Sequence, residues 1–180
     1  MKVTAGAISW TRPPTRALDD SAAPLYRWFP DGELNTSYNA LDRHVEAGRG
    51  DRVAYHWRGE EGEERDVTYA ELLRDVKRLA NVLKERGVER GDVVGIYLPM
   101  SPEVAVAMLA CARIGAAHSV VFGGFSAESL RDRINDAGAV VLITADGGYR
   151  RGQVVPLKRA ADEALQGCPT VRHVVVYQRR

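Results

Sequence analysis

Leu109–Gln153, LACARIGAAHSVVFGGFSAESLRDRINDAGAVVLITADGGYRRGQ, contains two apolar runs that each end in glycines. A strand covered on both faces is apolar throughout, and Ser119–Phe122 (SVVF) and Val140–Ile143 (VVLI) both read that way. Between them Ser126 opens a half-exposed helix that carries Glu128, Arg131, Asp132 and Arg133 and runs to Ala137. The stretch reads as consecutive β–α–β units, with glycine-rich turns Phe122–Ser126 and Asp146–Gln153 at the ends of neighbouring strands. Such strand ends are where α/β proteins hold their ligands.

The flanks extend the same alternation. Downstream, Leu157–Leu165 has helical spacing and Val171–Tyr177 is a strand. Upstream, Val93–Leu98 is a strand, and Ser101-Pro102-Glu103 supplies an N-cap, a proline at the first helical position and an acid in the first turn. The helix that follows, Val104–Ile114, is apolar nearly all round and must be buried on more than one side. Thr68 with Glu71 forms a capping box, and Leu72, Leu73, Val76, Leu79, Ala80 and Leu83 recur at helical spacing up to Gly87. Val53–Trp57 alternates as a strand before the polar turn Gly59–Glu64 and a second strand at Asp66–Thr68. Asn35 or Thr36 can cap a short helix, Ser37–Glu46, that ends near Gly48. Residues 1–34 lack periodicity and carry Pro13, Pro14, Pro24 and Pro30, as an extended arm does. Trp10, Tyr26, Trp28 and Phe29 are its expected anchors, because burying apolar surface is worth about 25 cal/mol per Å². The fold class is therefore α/β: an N-terminal extended arm and short helix, then a mainly parallel sheet with helices on both faces.

Composition narrows the function classes. Lys+Arg 25 against Asp+Glu 24 leaves a formal charge of +1 over 180 residues, without the basic surplus that phosphate-backbone binding exploits, so nucleic acid is not an expected partner. The two cysteines, Cys111 in an apolar helical run and Cys168 in a turn, fit neither a disulfide framework nor a zinc pattern. This usage suits a reducing, cytoplasmic compartment. MKVTAGAISWTRPPTR has no apolar h-region, and no run approaches the roughly 18 apolar residues of a membrane span, so no membrane is expected either.

Phe122-Gly123-Gly124-Phe125-Ser126 joins a strand's carboxyl end to a helix N-terminus, where free N–H groups favour an anion and glycine admits a ligand to the main chain. By itself it is equally an ordinary tight β–α turn, since GxGxxG and GxxxxGK[ST] are both missing. Asp146–Gln153 adds the guanidinium groups of Arg150 and Arg151, able to grip phosphate bidentately, although a solvated basic loop has the same composition. His44, His56, His118 and His173 have no ligand spacing and read as structural. Cys111 reads as core, and neither Ser119 nor Ser126 sits in a G-x-S-x-G elbow.

RWFPDGELNTSYNALDRH, GDVVGIYLPMSPE, MLACARIGAAHSVVFGGFSAESLRDRI and ITADGGYRRGQVVPLK together resemble the N-terminal part of the short-chain acyl-CoA synthetases, the acetyl-CoA and propionyl-CoA synthetases of the adenylate-forming superfamily. The resemblance runs from about Trp10 onward. The opening ISWTRPPTRALDDSAAPLYRWF is more similar to the propionyl-CoA branch. It implies division into an N-terminal extension at residues 1–66 and part of the AMP-binding α/β subdomain at 67–180. It also implies acid–thiol ligation: a short-chain carboxylate and Mg-ATP give an acyl-adenylate and pyrophosphate, then coenzyme A displaces AMP to form the thioester. By the same resemblance Phe122, Gly123, Gly124 and Arg150 contact the nucleotide end of coenzyme A. The family's second loop arginine falls at Gln153, which can hydrogen-bond but cannot neutralise a phosphate. Either Arg151 substitutes for it, or coenzyme A binds more weakly.

The family's ATP phosphate loop, adenine and ribose motifs, carboxylate pocket and catalytic lysine have no counterpart in these residues. The expectation is thus an N-terminal piece of a ligase, with no catalytic residue and no metal ligand of its own, inactive alone and pairing with the rest of the enzyme. The alternative is a free-standing α/β module that binds coenzyme A or a nucleotide without chemistry. A Rossmann oxidoreductase is disfavoured by the missing fingerprint.

Overall fold

The computed structural model describes residues 6–179. Its centre is a four-stranded parallel sheet in the order β10–β7–β5–β6, built from β5 (Val93–Tyr97), β6 (Ala117–Val120), β7 (Val141–Ala145) and β10 (His173–Tyr177). Helices α3 (Pro102–Ile114), α4 (Ala127–Ala137) and α5 (Leu157–Leu165) connect these strands. α2 (Tyr69–Glu85) packs on α3, and α4 packs on α5. The chain steps one way from β5 to β6, then back across β5 to β7 and on to β10. Crossovers of one hand in opposite directions put the two helical pairs on opposite faces.

The expected α/β architecture is thus present, and the central strands show why. β7 is buried at every position and apolar except for Thr144, because it has a hydrogen-bonded neighbour on each side and helices above and below. β6 differs from expectation in both position and burial. It spans Ala117–Val120 rather than 119–122, and it is the sheet's edge, so Ala117, His118 and Val120 are exposed. Its last backbone bond to β5 is Val121 N–H to the Ile96 carbonyl, 2.8 Å, after which Phe122 swings out of the sheet. The apolar run there serves a turn rather than a buried strand.

α2 starts at the expected capping box: Thr68 Oγ1 accepts from the Glu71 N–H at 3.2 Å, and the Thr68 N–H donates to the Glu71 carboxylate at 2.9 Å. Those hydrogen bonds hold the Glu71 carboxyl below its ordinary value. α3 lies between α2 and the sheet, and no residue from Pro102 to Ile114 is fully exposed. Ser101 holds the N-cap position, yet its buried hydroxyl makes no cap hydrogen bond. Cys111 is core, its thiol pushed up to about 12 by burial.

Residues 36–49 form α1, whose hydrogen bonding widens to π turns at Tyr38–Asp42 and Val45–Arg49 and which kinks at Ala47 and Gly48, where the backbone leaves helical φ/ψ (Gly48 φ 72°). It buries Leu41 and Asp42 side by side. Asp42 accepts both guanidinium nitrogens of Arg113 at 2.7 and 2.9 Å, with Lys77 3.8 Å away. Burial works to raise the Asp42 pKa, but the Arg113 hydrogen bonds and the two cations outweigh it, and the net direction is downward. The Asn35 amide donates to the Arg113 carbonyl at 2.9 Å, covering the carboxyl end of α3.

The arm is more ordered than its composition suggests. β1 (Leu18–Asp19) pairs with β2 (Arg27–Trp28), and Arg12 bridges Glu33. Ser9 and Asn39 exchange two 2.8 Å hydrogen bonds that moor the arm to α1. Only some of the expected anchors are even half-buried: Trp10 meets Phe29 edge-on at 5.3 Å and lies against Gly32, whereas Tyr26 is 57% and Trp28 59% exposed. The β1–β2 pair has no sheet beneath it to cover these two rings.

Two hairpins complete the molecule. β3 (Val53–Arg58) pairs with β4 (Glu64–Thr68), and β8 (Gly148–Arg150) pairs with β9 (Gln153–Val155). Among the histidines, His44 stacks on Tyr69 and meets Arg49 at 2.9 Å, and His56 pairs with Asp66, while His118 and His173 lie on the surface. Among the described residues no helix is long and apolar enough to cross a membrane.

Candidate functional site

A crevice opens at the carboxyl ends of β5 and β7, adjacent strands whose connections leave in opposite directions. That is the position at which an open α/β sheet leaves space for a ligand. The cavity measures about 320 Å³, with Leu98, Pro99 and Leu157 as its apolar part and Phe122, Tyr149 and Arg150 around them.

The two glycine turns do meet, but not as neighbours. β5 lies between β6 and β7, and the turns close over its end. The first turn is held by buried Tyr97, whose hydroxyl donates to the Phe125 carbonyl at 2.9 Å; burial raises the Tyr97 pKa and keeps that proton in place. Thr144, fully buried on β7, donates to the Tyr97 carbonyl at 3.0 Å and so locks β5 to β7 just below the crevice. Ser126 then caps α4 by accepting from the Ser129 N–H at 3.3 Å. Phe122, 48% exposed, stands edge-on to Phe125 with 6.1 Å between ring centres.

The second turn is not a loop running into a helix, as its glycines suggest, but the β8–β9 hairpin. Arg151 and Gly152 form its two-residue tip, with φ of 52° and 70°. Positive φ at both positions is the backbone of a type I′ turn, whose twist matches that of the strands it joins. Gly148 fits against Pro99, where a Cβ would stand 2.8 Å from the proline's own.

Of the residues singled out from the sequence, four come together. Phe122, Gly123, Gly124 and Arg150 all line the cavity. The Arg150 guanidinium lies over the Phe122 ring, 5.0 Å from its centre, and occupies the space a side chain on Gly124 would fill. A Cβ on Gly123 would meet the Leu98 carbonyl at 3.2 Å, so that position admits no bulk either. Arg151 and Gln153 are exposed and line none of this cavity: Arg151 is at the hairpin tip, and Gln153 is the strand partner of Arg150.

Further wall residues come from distant segments. Arg179 places its guanidinium 5.6 Å from the Trp57 ring centre and 5.4 Å from that of Tyr149, and pairs with Glu63 at 3.2 Å. The Glu60 carboxylate accepts from the Gly152 N–H at 2.8 Å, and the Trp57 indole donates to the Met100 carbonyl at 3.0 Å. The β3–β4 hairpin is thereby fastened beside the cavity. No local pattern marks these residues, because each reaches the site only through the packing of remote elements.

The charges around the cavity are mostly matched. Arg58 pairs with Glu64 and Arg179 with Glu63, while Arg150 has no acidic partner among the described residues. An aromatic face, a guanidinium free to take a phosphate and an apolar floor suit a nucleotide with phosphate groups on one side. Among the described residues no three His, Cys, Asp or Glu side chains converge.

Comparison with known proteins identifies the family. Residues 41–180 match the family described as AMP-binding enzyme, and residues 2–40 match the acetyl-coenzyme A synthetase N-terminus. The chain is 59% identical over 172 residues to an acetyl-coenzyme A synthetase of Streptomyces coelicolor, covering 96% of this chain and 26% of that protein. It is 59% identical over 174 residues to one of Burkholderia lata, with the same coverage. With one of Mycobacterium tuberculosis it shares 57% over 178 residues, 97% of this chain and 27% of the relative. The chain thus spans about a quarter of the length of these relatives and matches their N-terminal portion. With residues 41–180 in that family's pattern, and the residues before them matching the acetyl-coenzyme A synthetase N-terminus, the chain belongs to the AMP-binding enzyme family.

Proposed function

We propose that the chain presents the coenzyme A-facing edge of an AMP-forming short-chain acyl-CoA ligase, with Phe122, Gly123, Gly124 and Arg150 receiving the nucleotide end of coenzyme A. The observation that carries this is the guanidinium of Arg150, without an acidic partner, stacked on an exposed phenylalanine above Gly124. A base can lie on the Phe122 ring while Arg150 takes a phosphate bidentately. Gln153 and Arg151 have weaker claims, because both are exposed and neither lines the cavity.

In the reaction we ascribe to the whole protein, a carboxylate oxygen attacks the α-phosphorus of ATP and releases pyrophosphate. The coenzyme A thiolate then attacks the acyl carbon, and AMP leaves with the bonding pair. Mg²⁺ offsets the negative charge of the ATP phosphates in the first step. The residues described here provide neither the metal donors nor an ATP phosphate loop, so the chain alone supplies binding and not chemistry. We read residues 1–66 as an extension and 67–180 as part of the AMP-binding unit, since the four-stranded sheet and its helices begin only after β4. The relatives' names favour acetate as the substrate, and the opening of the sequence favours propionate. The sparse cysteines favour the cytoplasm.

Calorimetric titration of the chain with coenzyme A tests the binding half of the proposal: wild type binds, and Arg150→Ala weakens binding about tenfold or more. Equal affinity of the two proteins removes Arg150 from the site. Pyrophosphate exchange with acetate or propionate tests the other half, and detectable exchange by this chain alone refutes its lack of chemistry. A panel of short-chain acids assayed on the whole protein separates acetate from propionate.

A further inference from the structure

We propose that Arg159, on α5, is the second phosphate-binding arginine of the site, in the place the sequence suggested for Arg151 or Gln153. The inference rests on the coenzyme A reading above and deepens it. Beneath the glycine turn lies a second hollow of about 460 Å³, lined among others by Gly124, Phe125, Arg150, Pro156, Arg159 and Glu163. Gly123, Gly124, Arg150 and Val155 border both hollows, so Arg150 stands at the wall between them. A ligand whose base lies on Phe122 and whose phosphates pass Arg150 enters this second hollow next.

Charge pairing singles out Arg159 from its neighbours. Lys158 is satisfied by Asp162 at 2.6 Å, and Arg133 lies on the Phe125 ring at 4.5 Å and donates to the Ser129 carbonyl. Arg150 and Arg159 have no acidic partner among the described residues, although Glu163 is one turn beyond Arg159 and lines the same hollow. The two unneutralised guanidinium groups bordering one concavity come from separate elements, β8 and α5. Arg151 and Gln153 line neither hollow. The helical phase explains the placement: Leu157, Ala161 and Ala164 are buried against the sheet, which turns Arg159 outward to the hollow's rim. A ligand with phosphates at the 3′ and 5′ positions of its adenosine ribose then meets one arginine from the hairpin and one from the helix. Glu163 opposes it electrostatically.

The test is titration calorimetry of the chain with coenzyme A, with adenosine 3′,5′-bisphosphate and with adenosine. Arg159→Ala is expected to weaken the two phosphorylated ligands about tenfold and to leave adenosine unchanged. Arg159→Lys, which keeps the charge but not the fork, loses less, and Glu163→Gln binds both phosphorylated ligands more tightly than wild type. Arg159 is exposed, so its variants keep the wild-type melting temperature. If Arg159→Ala binds coenzyme A like wild type while Arg150→Ala is impaired, the Arg159 assignment is overturned and the coenzyme A reading stands. If wild type binds no coenzyme A, both are overturned together.

Discussion

At Gly124 the missing side chain leaves its space to the Arg150 guanidinium. A methyl group there collides with the Arg150 guanidinium and, at 2.7 Å, with the edge of the Phe122 ring, but not with backbone. Gly124→Ala is therefore expected to leave stability within about 1 kcal/mol of wild type. Coenzyme A affinity should fall severalfold as Arg150 is pushed off Phe122, and calorimetry beside a thermal melt separates the two effects. Asp42 illustrates a different residue-level dependence. Its folded pKa is below the ordinary carboxylate value of 3.8, so its contribution is fully present above that value and is lost as pH falls through 3.8 toward the lower folded value. Asp42→Asn should cost about 1–3 kcal/mol at neutral pH, less than a fully buried pair because Arg113 is partly solvated. The variant should also lose part of the acid-side slope, which urea unfolding at a series of pH values from 6 downward would measure. Wild-type and variant curves that stay parallel through the acid range count against Asp42 as the group responsible.

Among the elements, the β8–β9 hairpin is the one that most changes the reading of the site. Its tip forces Arg151 into left-handed backbone, which costs most residues about 1–2 kcal/mol and asparagine much less. Arg151→Asn converts the tip to Asn-Gly, the preferred type I′ pair, and should stabilise the chain by up to about 1 kcal/mol. Since Arg151 lines neither hollow, coenzyme A affinity should stay within about twofold of wild type. A large loss of affinity would return Arg151 to the site. The hairpin also explains how one arginine was separated from the next: Arg150 lies on the strand facing Phe122, and Arg151 is carried past it by the turn.

The molecule as a whole carries its sheet with both edges uncovered. Val120 and Phe122 are exposed at the β6 side, and Val174 and Val176 at the β10 side, the last 42% exposed. Open strand edges with apolar side chains pair with other chains unless charge or bulges prevent it. The chain on its own is expected to self-associate as concentration rises, seen as an increasing weight-average mass in sedimentation equilibrium. Val120→Lys or Val176→Lys should reduce that association, and a monodisperse monomer up to high concentration would show that the edges are protected in some other way.

What the sequence determined by itself was everything governed by short-range rules. The capping box at Thr68–Glu71, the continuous burial of β7, the proline start of α3 and the alternation of the sheet's four strands with their helices follow from caps, propensities and periodicity, which act within a few residues. Tertiary structure alone decided which of two similar apolar runs is a central strand and which an edge, because that depends on the number of neighbours and not on composition. It alone separated Arg150 from Arg151, since a two-residue turn with positive φ reverses the chain between residues that the sequence shows side by side. And it alone brought Arg179 to the cavity and Arg159 to the hollow beside it, as helix phase and the packing of remote hairpins fix positions that no local pattern encodes.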